Sequence, residues 1–495
     1  MVQLLSGLYH FTAPLFLLVA TVSASQKFLR IPNARPKELI ASSGGPNRSS
    51  HAPFANPKYQ FYDDGLFTPF EDLSSLPQNE YTLLTHPAFP AHSVRIKRTN
   101  FCDRGVNSYT GYIDIAARHL FFYFFESPGC SSSLAVFMEL GPCRISDGNG
   151  TKYFNESWIS NANVFFVDQP IGVGYSYADY GEFVGTSEDA AVDVAAFVAI
   201  FFENFSKFKG RAFHMAGESY GGRYIPLFAS QVYDQNARLV DMGLTPINLT
   251  SAIIGNGWTD VLSMILSYYD MMCTAASVPP IADIATCVHL KQLIPRCKKW
   301  IKESCIDIFD NINCRAAYDF CDDAFSAPLY ATGKNPYDIS KDCEGEPGDL
   351  CYPVTRHITN FLNSTSTRSL LGVDPSVPTS YSVCSDPVAL AFDASNDQQQ
   401  TATPFHVAAL LERKVRVLIY VGTYDWICNW VGNERWTRAL EWSGQHEFAG
   451  KEAGVKRSAK GLTFATVEGA GHMVPYDKPR EALALINRWL AKDEL

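Results

Sequence analysis

The stretch Arg211-Ala-Phe-His-Met-Ala-Gly-Glu-Ser-Tyr-Gly-Gly-Arg-Tyr-Ile-Pro226 decides how this chain folds. Residues 211–216 are typical of a short buried strand, and from Gly221 onward the apolar residues recur with helical spacing. Ser219 lies between the two, in a Gly-x-Ser-x-Gly pattern. A turn this tight needs small neighbours, and it lifts the serine hydroxyl clear of the backbone at a helix start. The bare pattern also occurs by chance, but a strand before it and a helix after it predict a nucleophile.

Strands and helices alternate on both sides of this turn. The segment 112–125 predicts a hairpin, and the later strands and helices are expected at 163–167, 187–205, 252–254, 415–421, 431–440, 462–467 and 479–490. Such alternation is typical of a mostly parallel sheet with helices on both faces. The fold class predicted is therefore α/β, and specifically the α/β-hydrolase fold that uses a serine at such a turn.

The rest of the chain divides around this core. Residues 1–24 predict a signal peptide, because the short apolar run 11–24 ends in small residues; the alternative is a buried N-terminal strand. Residues 25–90 predict a pro-segment or a loosely packed N-terminal arm. The core is expected at 91–257 and 401–491. The segment 258–400, where strands fade and cysteines crowd, predicts an inserted, disulfide-rich helical cap.

Composition narrows the functional classes. The 495 residues carry a formal net charge of −10 without a basic run, so nucleic acid is not an expected partner. No stretch after the leader is long and apolar enough to span a membrane. Thirteen cysteines without a Cys-x-x-Cys pair indicate disulfides in an oxidising compartment, and no metal or cofactor is expected. Glycosylation sequons begin at Asn47, Asn149, Asn155, Asn204, Asn248 and Asn363.

A nucleophilic serine needs a base and an orienting acid. In α/β-hydrolases the chain order is nucleophile, acid and histidine, each just beyond a strand. Asp425 follows the strand 415–421, and His472 follows the strand 462–467. We therefore predict a triad of Ser219, Asp425 and His472. His214 lies inside the strand before the turn and is expected to pack in the core, and a solvated loop acid is the alternative for Asp425.

Three motifs resemble those of the serine carboxypeptidase family, and most closely its carboxypeptidase Y-like fungal members. They are Gly217-Glu-Ser-Tyr-Gly-Gly-Arg-Tyr-Ile-Pro226, Asp425-Trp-Ile-Cys-Asn-Trp430 and Gly469-Ala-Gly-His-Met-Val-Pro475. The resemblance runs from about residue 109 to 490. It implies an α/β-hydrolase fold with a cap inserted after strand six, and an enzyme that releases C-terminal residues from peptides or proteins through an acyl-enzyme.

The resemblance also implies roles for single residues. Ser219, Asp425 and His472 match the family triad, and the Tyr220 N–H matches an oxyanion donor. Glu218 and Glu139 match two acids that bind the terminal carboxylate of the substrate. Acids that face a carboxylate must hold protons, so their pKa values should be raised and acidic pH should favour binding. Two soft residues match the lining of the pocket for the leaving residue, namely Cys428, as a free thiol, and Met473.

The family's disulfide pattern implies five pairs in this chain. They are Cys130–Cys384, Cys273–Cys287, Cys297–Cys321, Cys305–Cys314 and Cys343–Cys351. Cys102, Cys143 and Cys428 are not part of these five pairs, and whether Cys102 pairs with Cys143 stays open.

The chain departs from the family pattern at two places. Phe125-Glu-Ser127 joins Pro128-Gly-Cys130 directly, where the family has a strand ending in a Trp-x-Asn-Gly-Gly-like run. About fifteen residues are missing there, including a core strand, the second oxyanion donor and an Asn that holds the substrate carboxylate. About a dozen more are missing after Gly450. The alternatives to an active carboxypeptidase are therefore an acyltransferase or esterase with the same triad, or an inactive family member.

The chain ends in Lys492-Asp-Glu-Leu495, which is an ER-retrieval signal when it is exposed in the secretory lumen. The expected location is thus the secretory pathway. The tail favours the ER lumen and a retrieval receptor as partner, whereas the family resemblance favours the vacuole or the medium. A chance ending on a frayed helix is the other interpretation.

Overall fold

The computed structural model describes residues 69–78, 80–102, 106–125, 133–179, 182–345, 349–377, 380–381, 383–451 and 456–495. The strands are β1 Thr82–Thr85, β2 His92–Thr99, β3 Ser108–Ile115, β4 Arg118–Phe125, β5 Cys143–Arg144, β6 Lys152–Tyr153, β7 Val164–Val167, β8 Tyr177–Ala178, β9 Ala212–Ser219, β10 Asn248–Gly257, β11 Lys334–Asn335, β12 Asp338–Asp342, β13 Arg416–Gly422, β14 Lys456–Ala459 and β15 Leu462–Val467. The helices are α1 Ser187–Asn204, α2 Gly221–Asp241, α3 Val261–Cys273, α4 Ile284–Ile301, α5 Asn311–Tyr330, α6 Val354–Asn363, α7 Thr365–Leu371, α8 Asp386–Ala394, α9 Thr403–Glu412, α10 Trp430–Ala439, α11 Gln445–Ala449, α12 Val474–Asp477 and α13 Pro479–Ala491.

In the part of the chain that the structure describes, the larger strands form two sheets. One has the order β1-β2-β3-β4-β7, is antiparallel throughout, and carries β8 on β4. The other has the order β14-β15-β13-β10-β9, and its last four strands are parallel. The mostly parallel arrangement predicted from the sequence is present in the second sheet, and the first sheet is antiparallel, in agreement with the hairpin predicted for 112–125.

Helices cover both faces of the parallel strands. On one face α1, α2 and α9 bury Phe197, Phe201 and Val232 against the strands. On the other, α13 and the π-helical turn Ala135–Glu139 bury Phe137, Ile486 and Trp489. The two apolar cores explain why Ile253 and Ile254, adjacent in β10, are both buried: each faces one core.

The described part of the predicted N-terminal arm is folded. Residues 69–78 and 80–90 include β1, which pairs with β2, and the side chains of Leu73 and Leu84 lie in the core. Phe70 also donates its N–H to the carbonyl oxygen of Asn204 at the end of α1. Loose packing was therefore the wrong expectation for this stretch, because most of its apolar residues are buried, with Leu83 as an exposed exception. The predicted leader and residues 25–68 lie outside the described residues.

The segment 258–400 is helical and has a core of its own. Helices α3, α4 and α5 pack around buried Met264, Leu290 and Phe325, with Trp426 from the loop after β13. The structure pairs Cys273–Cys287, Cys297–Cys321, Cys305–Cys314 and Cys343–Cys351 here, and Cys102–Cys143 beside the first sheet. Cys130 lies outside the described residues, so its pairing with Cys384 stays a prediction.

The predicted glycosylation sites differ in exposure. Asn149, Asn155 and Asn248 are exposed, and Asn363 is half-buried with its amide bonded to the backbone of Tyr381. Asn204 is buried, and its Nδ2 donates to the carbonyl oxygens of two other residues. Glycosylation at Asn204 is therefore a wrong prediction for the folded chain, because its amide has no path to solvent. Asn47 lies outside the described residues.

Among the described residues, no helix has both the length and the apolar composition needed to cross a membrane.

Candidate active site

Ser219 lies at the last position of β9, one residue before Tyr220 caps α2. Its φ of 59° is in the left-handed region, which a non-glycine residue adopts only under constraint. The glycines around it explain how the turn closes. A Cβ on Gly217 would come within 2.6 Å of the Ile225 side chain, and a Cβ on Gly222 within 2.5 Å of the Trp258 nitrogen. The strained turn predicted from the sequence is present.

Asp425 and His472 lie beyond the ends of neighbouring parallel strands, β13 and β15. The His472 Nδ1 and the Asp425 Oδ2 are 2.9 Å apart, and both side chains are buried. The backbone N–H of His472 also donates to the carbonyl oxygen of Tyr337 at 2.7 Å, which fixes the ring from the side of the β11–β12 hairpin. This geometry matches the base-and-orienting-acid pair that a serine nucleophile requires.

Asn256 holds the same carboxylate and was missed from the sequence. Its Nδ2 donates to Asp425 Oδ2 at 2.7 Å, and its Oδ1 accepts the Gly422 N–H at 3.2 Å. The residue is fully buried and has a φ of 42°. Ligand sites in parallel sheets lie at the carboxyl ends of strands, so a polar residue at the end of β10 was a usable signal. Asp425 Oδ1 finds no hydrogen-bond partner among the described residues, so Oδ2 carries both bonds.

Cys428 lies close to Ser219 and to the Asp425–His472 pair. Its side chain makes a hydrogen bond with that of Ser219, and its sulfur lies within 4.8 Å of the nearest ligand atoms of Asp425 and His472. Burial raises the pKa of the thiol well above its usual range, with the nearby carboxylates adding to the effect. The side chains of Asp425, Cys428 and His472 are close enough together to bind one metal ion. A thiol that keeps its proton is, however, a poor metal ligand. Cys428 is buried and outside the disulfides of the described residues.

Glu218 and Glu139 meet beside the nucleophile. Glu218 directly precedes Ser219 in β9, and Glu139 ends the π-helical turn Ala135–Glu139. The Glu218 carboxyl donates a hydrogen bond to Glu139. Burial raises the pKa of both groups, and the adjacent carboxylates raise that of Glu218 further. A pair of this kind retains a proton under conditions in which isolated carboxyls are ionised.

Two charged side chains near the Glu218–Glu139 pair, Arg144 and Asp477, make hydrogen bonds to the backbone around the site. Arg144 Nη2 donates to the carbonyl oxygens of Glu139, at 3.0 Å, and of Pro475, at 2.8 Å. Asp477 accepts the Gly471 N–H at 2.8 Å, which fixes the loop that carries His472. Met473, the predicted pocket residue, is buried beside the His472 backbone.

Tyr220 is anchored by a buried carboxylate from the end of the cap. Its hydroxyl donates to Asp397 Oδ2 at 2.7 Å. The same carboxylate accepts from Ser187 at the start of α1 and from the Arg223 guanidinium, which lowers the pKa of Asp397. Asp397 was missed from the sequence because it lies in a polar, glutamine-rich tract. Its position fixes the residue whose backbone N–H was predicted to face the oxyanion.

A nucleophile turn together with a buried Asp–His pair on a parallel sheet defines a serine hydrolase of the α/β-hydrolase class. A sequence model of the family described as "Serine carboxypeptidase" matches residues 100–492. The chain therefore belongs to the serine carboxypeptidase family, and it is a serine-type carboxypeptidase.

Individual relatives agree with this assignment. The chain is 39% identical over 438 residues to the "Carboxypeptidase Y homolog A" of Paracoccidioides brasiliensis strain Pb03, a match that covers 81% of this chain and 76% of the relative. The homologue with the same name in Aspergillus fumigatus is 38% identical over 439 residues, covering 81% and 78%. The crystal structure of Kex1(delta)p, a prohormone-processing carboxypeptidase from Saccharomyces cerevisiae, superimposes with a TM-score of 0.65 at 20% identity, covering 83% of this chain and 93% of that one. At that identity the structural match shows the fold alone.

Proposed function

We propose that the chain releases C-terminal residues through an acyl-enzyme on Ser219. The Ser219 hydroxyl attacks the last peptide carbonyl, and His472 takes its proton and returns it to the leaving amine. Asp425 stabilises the imidazolium that forms. The Tyr220 N–H, at the start of α2, donates to the oxyanion. Water then attacks the acyl-enzyme, with His472 again taking the proton, and the shortened peptide leaves.

The observation that carries this proposal is the buried, hydrogen-bonded pair of carboxyl groups of Glu218 and Glu139 next to Ser219. A carboxyl that holds its proton can donate a hydrogen bond to the terminal carboxylate of a peptide, and an ionised one repels it. Glu218 and Glu139 have raised pKa values because they are buried together. An esterase or acyltransferase substrate without a terminal carboxylate would give this pair nothing to bind, so the carboxypeptidase is favoured over those alternatives.

The direction in which KM changes with pH follows from the protonation of the Glu218–Glu139 pair. Below the raised pKa values the pair is protonated and binds the substrate carboxylate. As the pH rises through them the pair ionises, and substrate binding weakens. We therefore expect KM to increase toward neutral and alkaline pH, while kcat changes less because the pair does not touch the scissile bond.

The rate of the chain as written should be low. The family's second oxyanion donor falls in the segment that is missing before Pro128, and the loss of one such donor lowers kcat by about 100- to 1000-fold. About fifteen residues of the family pattern, ending in Trp-x-Asn-Gly-Gly, can be inserted before Pro128. We call this variant the restored chain, and it should recover activity.

A blocked dipeptide and a serine-directed phosphonate together test the proposed function. The restored chain should hydrolyse the blocked dipeptide and lose this activity after phosphonate treatment. Hydrolysis of a simple ester but not of the dipeptide would favour the esterase alternative. Failure to react with either reagent would favour an inactive family member.

The proposed location is the secretory pathway. Five disulfides are stable in an oxidising compartment, which supports this proposal. Lys492, Asp493 and Glu494 are exposed, as a tail read by an ER-retrieval receptor must be. Leu495 is partly buried and its backbone oxygen accepts a hydrogen bond from Lys456 Nζ at 2.7 Å. Retrieval would therefore require the last residue to detach, and a vacuolar or extracellular location is the alternative.

A further inference from the structure

Asp322, on helix α5 of the cap, is a partly buried acid without a counter-charge. Among the residues that the structure describes, none forms an ion pair or a side-chain hydrogen bond with its carboxylate. The nearby acid Asp319, in contrast, is exposed and pairs with Arg315 at 3.0 Å. Burial raises the pKa of Asp322 to about 6, and the charges of Asp319 and Asp323 add to the effect. A cation brought by a ligand would therefore stabilise this carboxylate.

Helix α5 connects Asp322 to the nucleophile through aromatic contacts. Tyr318 lies four residues earlier, which is one helical turn away on the same face. Its ring meets the ring of Trp258 edge-on, with 6.5 Å between the centroids. The backbone N–H of Trp258 donates to the carbonyl oxygen of Ser219 at 2.8 Å. Asp322 is thus one helical turn from a side chain that contacts the neighbour of the nucleophile.

Tyr268 on α3 places Asp322 near the same site from another direction. Its hydroxyl donates to the carbonyl oxygen of Ile427, the residue before Cys428, at 3.0 Å. Burial raises the pKa of Tyr268, and the acidic groups of Asp322 and Cys428 raise it further. The same holds for Tyr318. Both tyrosine hydroxyls therefore lie close to Asp322 and to the thiol that is hydrogen-bonded to the nucleophile.

The acid pair decides which residue of a bound peptide comes near Asp322. The π-helical turn that ends at Glu139 packs in the core beneath α13. Trp258 and Phe325, on the side of Asp322, pack in the separate core of the cap. Ser219 lies between these two sides. A peptide whose terminal carboxylate is held by the acid pair therefore extends its penultimate residue toward the cap.

The surroundings of Asp322 favour a long side chain that ends in a cation. Tyr318 and Tyr330, on the same helix, keep part of their side chains exposed. The methylene stems of lysine and arginine pack well along such rings, and their charged ends make strong hydrogen bonds to a carboxylate. An apolar side chain would cover Asp322 and leave it without a partner, and an acidic side chain would be repelled.

We propose that the carboxylate of Asp322 binds the side chain of a lysine or arginine at the penultimate position of the substrate. The enzyme would thus prefer to release the residue that follows a basic one. This inference rests on the proposed function for the direction of the peptide, and it adds the class of substrate. Asp322 acts here as a specificity-determining residue and does not touch the scissile bond.

Equilibrium binding tests the preference without the need for turnover. The unmodified chain carries Ser219→Ala, so that the peptide stays intact, and it is titrated by calorimetry with two blocked dipeptides that end in leucine. One has lysine at the penultimate position, and the other has norleucine, which keeps the carbon stem and lacks the amine. At about pH 7 Asp322 is ionised, and we expect the lysine peptide to bind about tenfold more tightly.

Asp322→Asn and Asp323→Asn form a matched pair of variants. Each removes one negative charge from α5, and Asp323 is exposed. Asp322→Asn should abolish the preference for lysine, and Asp323→Asn should keep it. Asp322→Lys should reverse the preference toward a glutamate peptide. Equal affinities for the lysine and norleucine peptides in the parent chain, or an equal loss of preference in the two Asn variants, would overturn the proposal.

The outcomes also separate this proposal from the carboxypeptidase chemistry. A preference for lysine that depends on Asp322, together with a restored chain that does not hydrolyse either peptide, would support the binding role and contradict the proposed function. Hydrolysis of both peptides by the restored chain, without any preference in binding, would leave the proposed function intact and overturn the role of Asp322.

Discussion

Asn256→Ala is expected to lower kcat through Asp425, without contact between residue 256 and the substrate. Both hydrogen bonds of the Asp425 carboxylate converge on Oδ2, one from Asn256 Nδ2 at 2.7 Å and one with His472 Nδ1 at 2.9 Å. Removal of the amide leaves a fully buried carboxylate with one partner. The carboxylate is then free to rotate, and the imidazole loses its fixed orientation.

The size of the expected decrease in kcat follows from the kind of hydrogen bond that Asn256→Ala removes. A hydrogen bond to a charged group contributes about 1.5–3 kcal/mol. If most of that stabilises the imidazolium in the transition state, kcat falls roughly 10- to 150-fold. KM should change less than threefold, because the Glu218–Glu139 pair is untouched. The fold also loses some stability, since the Gly422 N–H loses its acceptor.

The assay is steady-state hydrolysis of a blocked dipeptide by the restored chain, with unfolding monitored in parallel. Asn236→Ala is the matched control. Asn236 also makes two side-chain hydrogen bonds, both to the backbone of Ile247 and remote from the triad. Both variants should lose stability, and only Asn256→Ala should lose kcat. Equal kcat values in the two folded variants would show that Asn256 does not act on catalysis through Asp425.

The other predictions concern the nucleophile, the acid pair, the missing segment and the tail. In the restored chain Ser219→Ala and His472→Ala should each abolish peptidase activity, because triad members act as a unit; retained turnover in Ser219→Ala counts against the assignment. Glu218→Gln, which mimics a protonated acid, should flatten the rise of KM with pH more than it weakens binding, and an unchanged profile would contradict the acid-pair account. The unmodified chain should hydrolyse the dipeptide at least 100-fold more slowly than the restored chain; robust activity without the inserted segment would show that the interpretation of the gap is wrong. Deletion of 492–495 should release a tagged protein from the ER to the vacuole or medium, and an unaltered distribution would mean that the tail is not recognised.

The site residues at the carboxyl ends of strands could be predicted from the sequence. Asp425 and His472 come just after the apolar strands β13 and β15, and Ser219 is the last residue of β9. Parallel strands deliver their ends to one edge of the sheet. Helices α1 and α13 began at the predicted residues, Ser187 and Pro479, because capping and apolar spacing are local signals.

The features that were missed depend on contacts between distant segments. Asn256 and Asp397 act through partners more than 160 residues away in sequence. The antiparallel sheet includes β1, which comes from a polar stretch with little periodicity. Asn204 ends α1, and only the packing of residues 69–78 and β1 against that helix shows that its amide is buried.

The role of Ser219 as the nucleophile is tested by the site at which a peptidyl phosphonate modifies the chain covalently. The restored chain is treated to completion, digested and mapped by mass spectrometry. We expect one adduct per chain, on the peptide that contains Ser219, with reaction blocked by Ser219→Ala. An adduct on another residue, or dipeptide hydrolysis that continues with Ser219 unmodified, would contradict it.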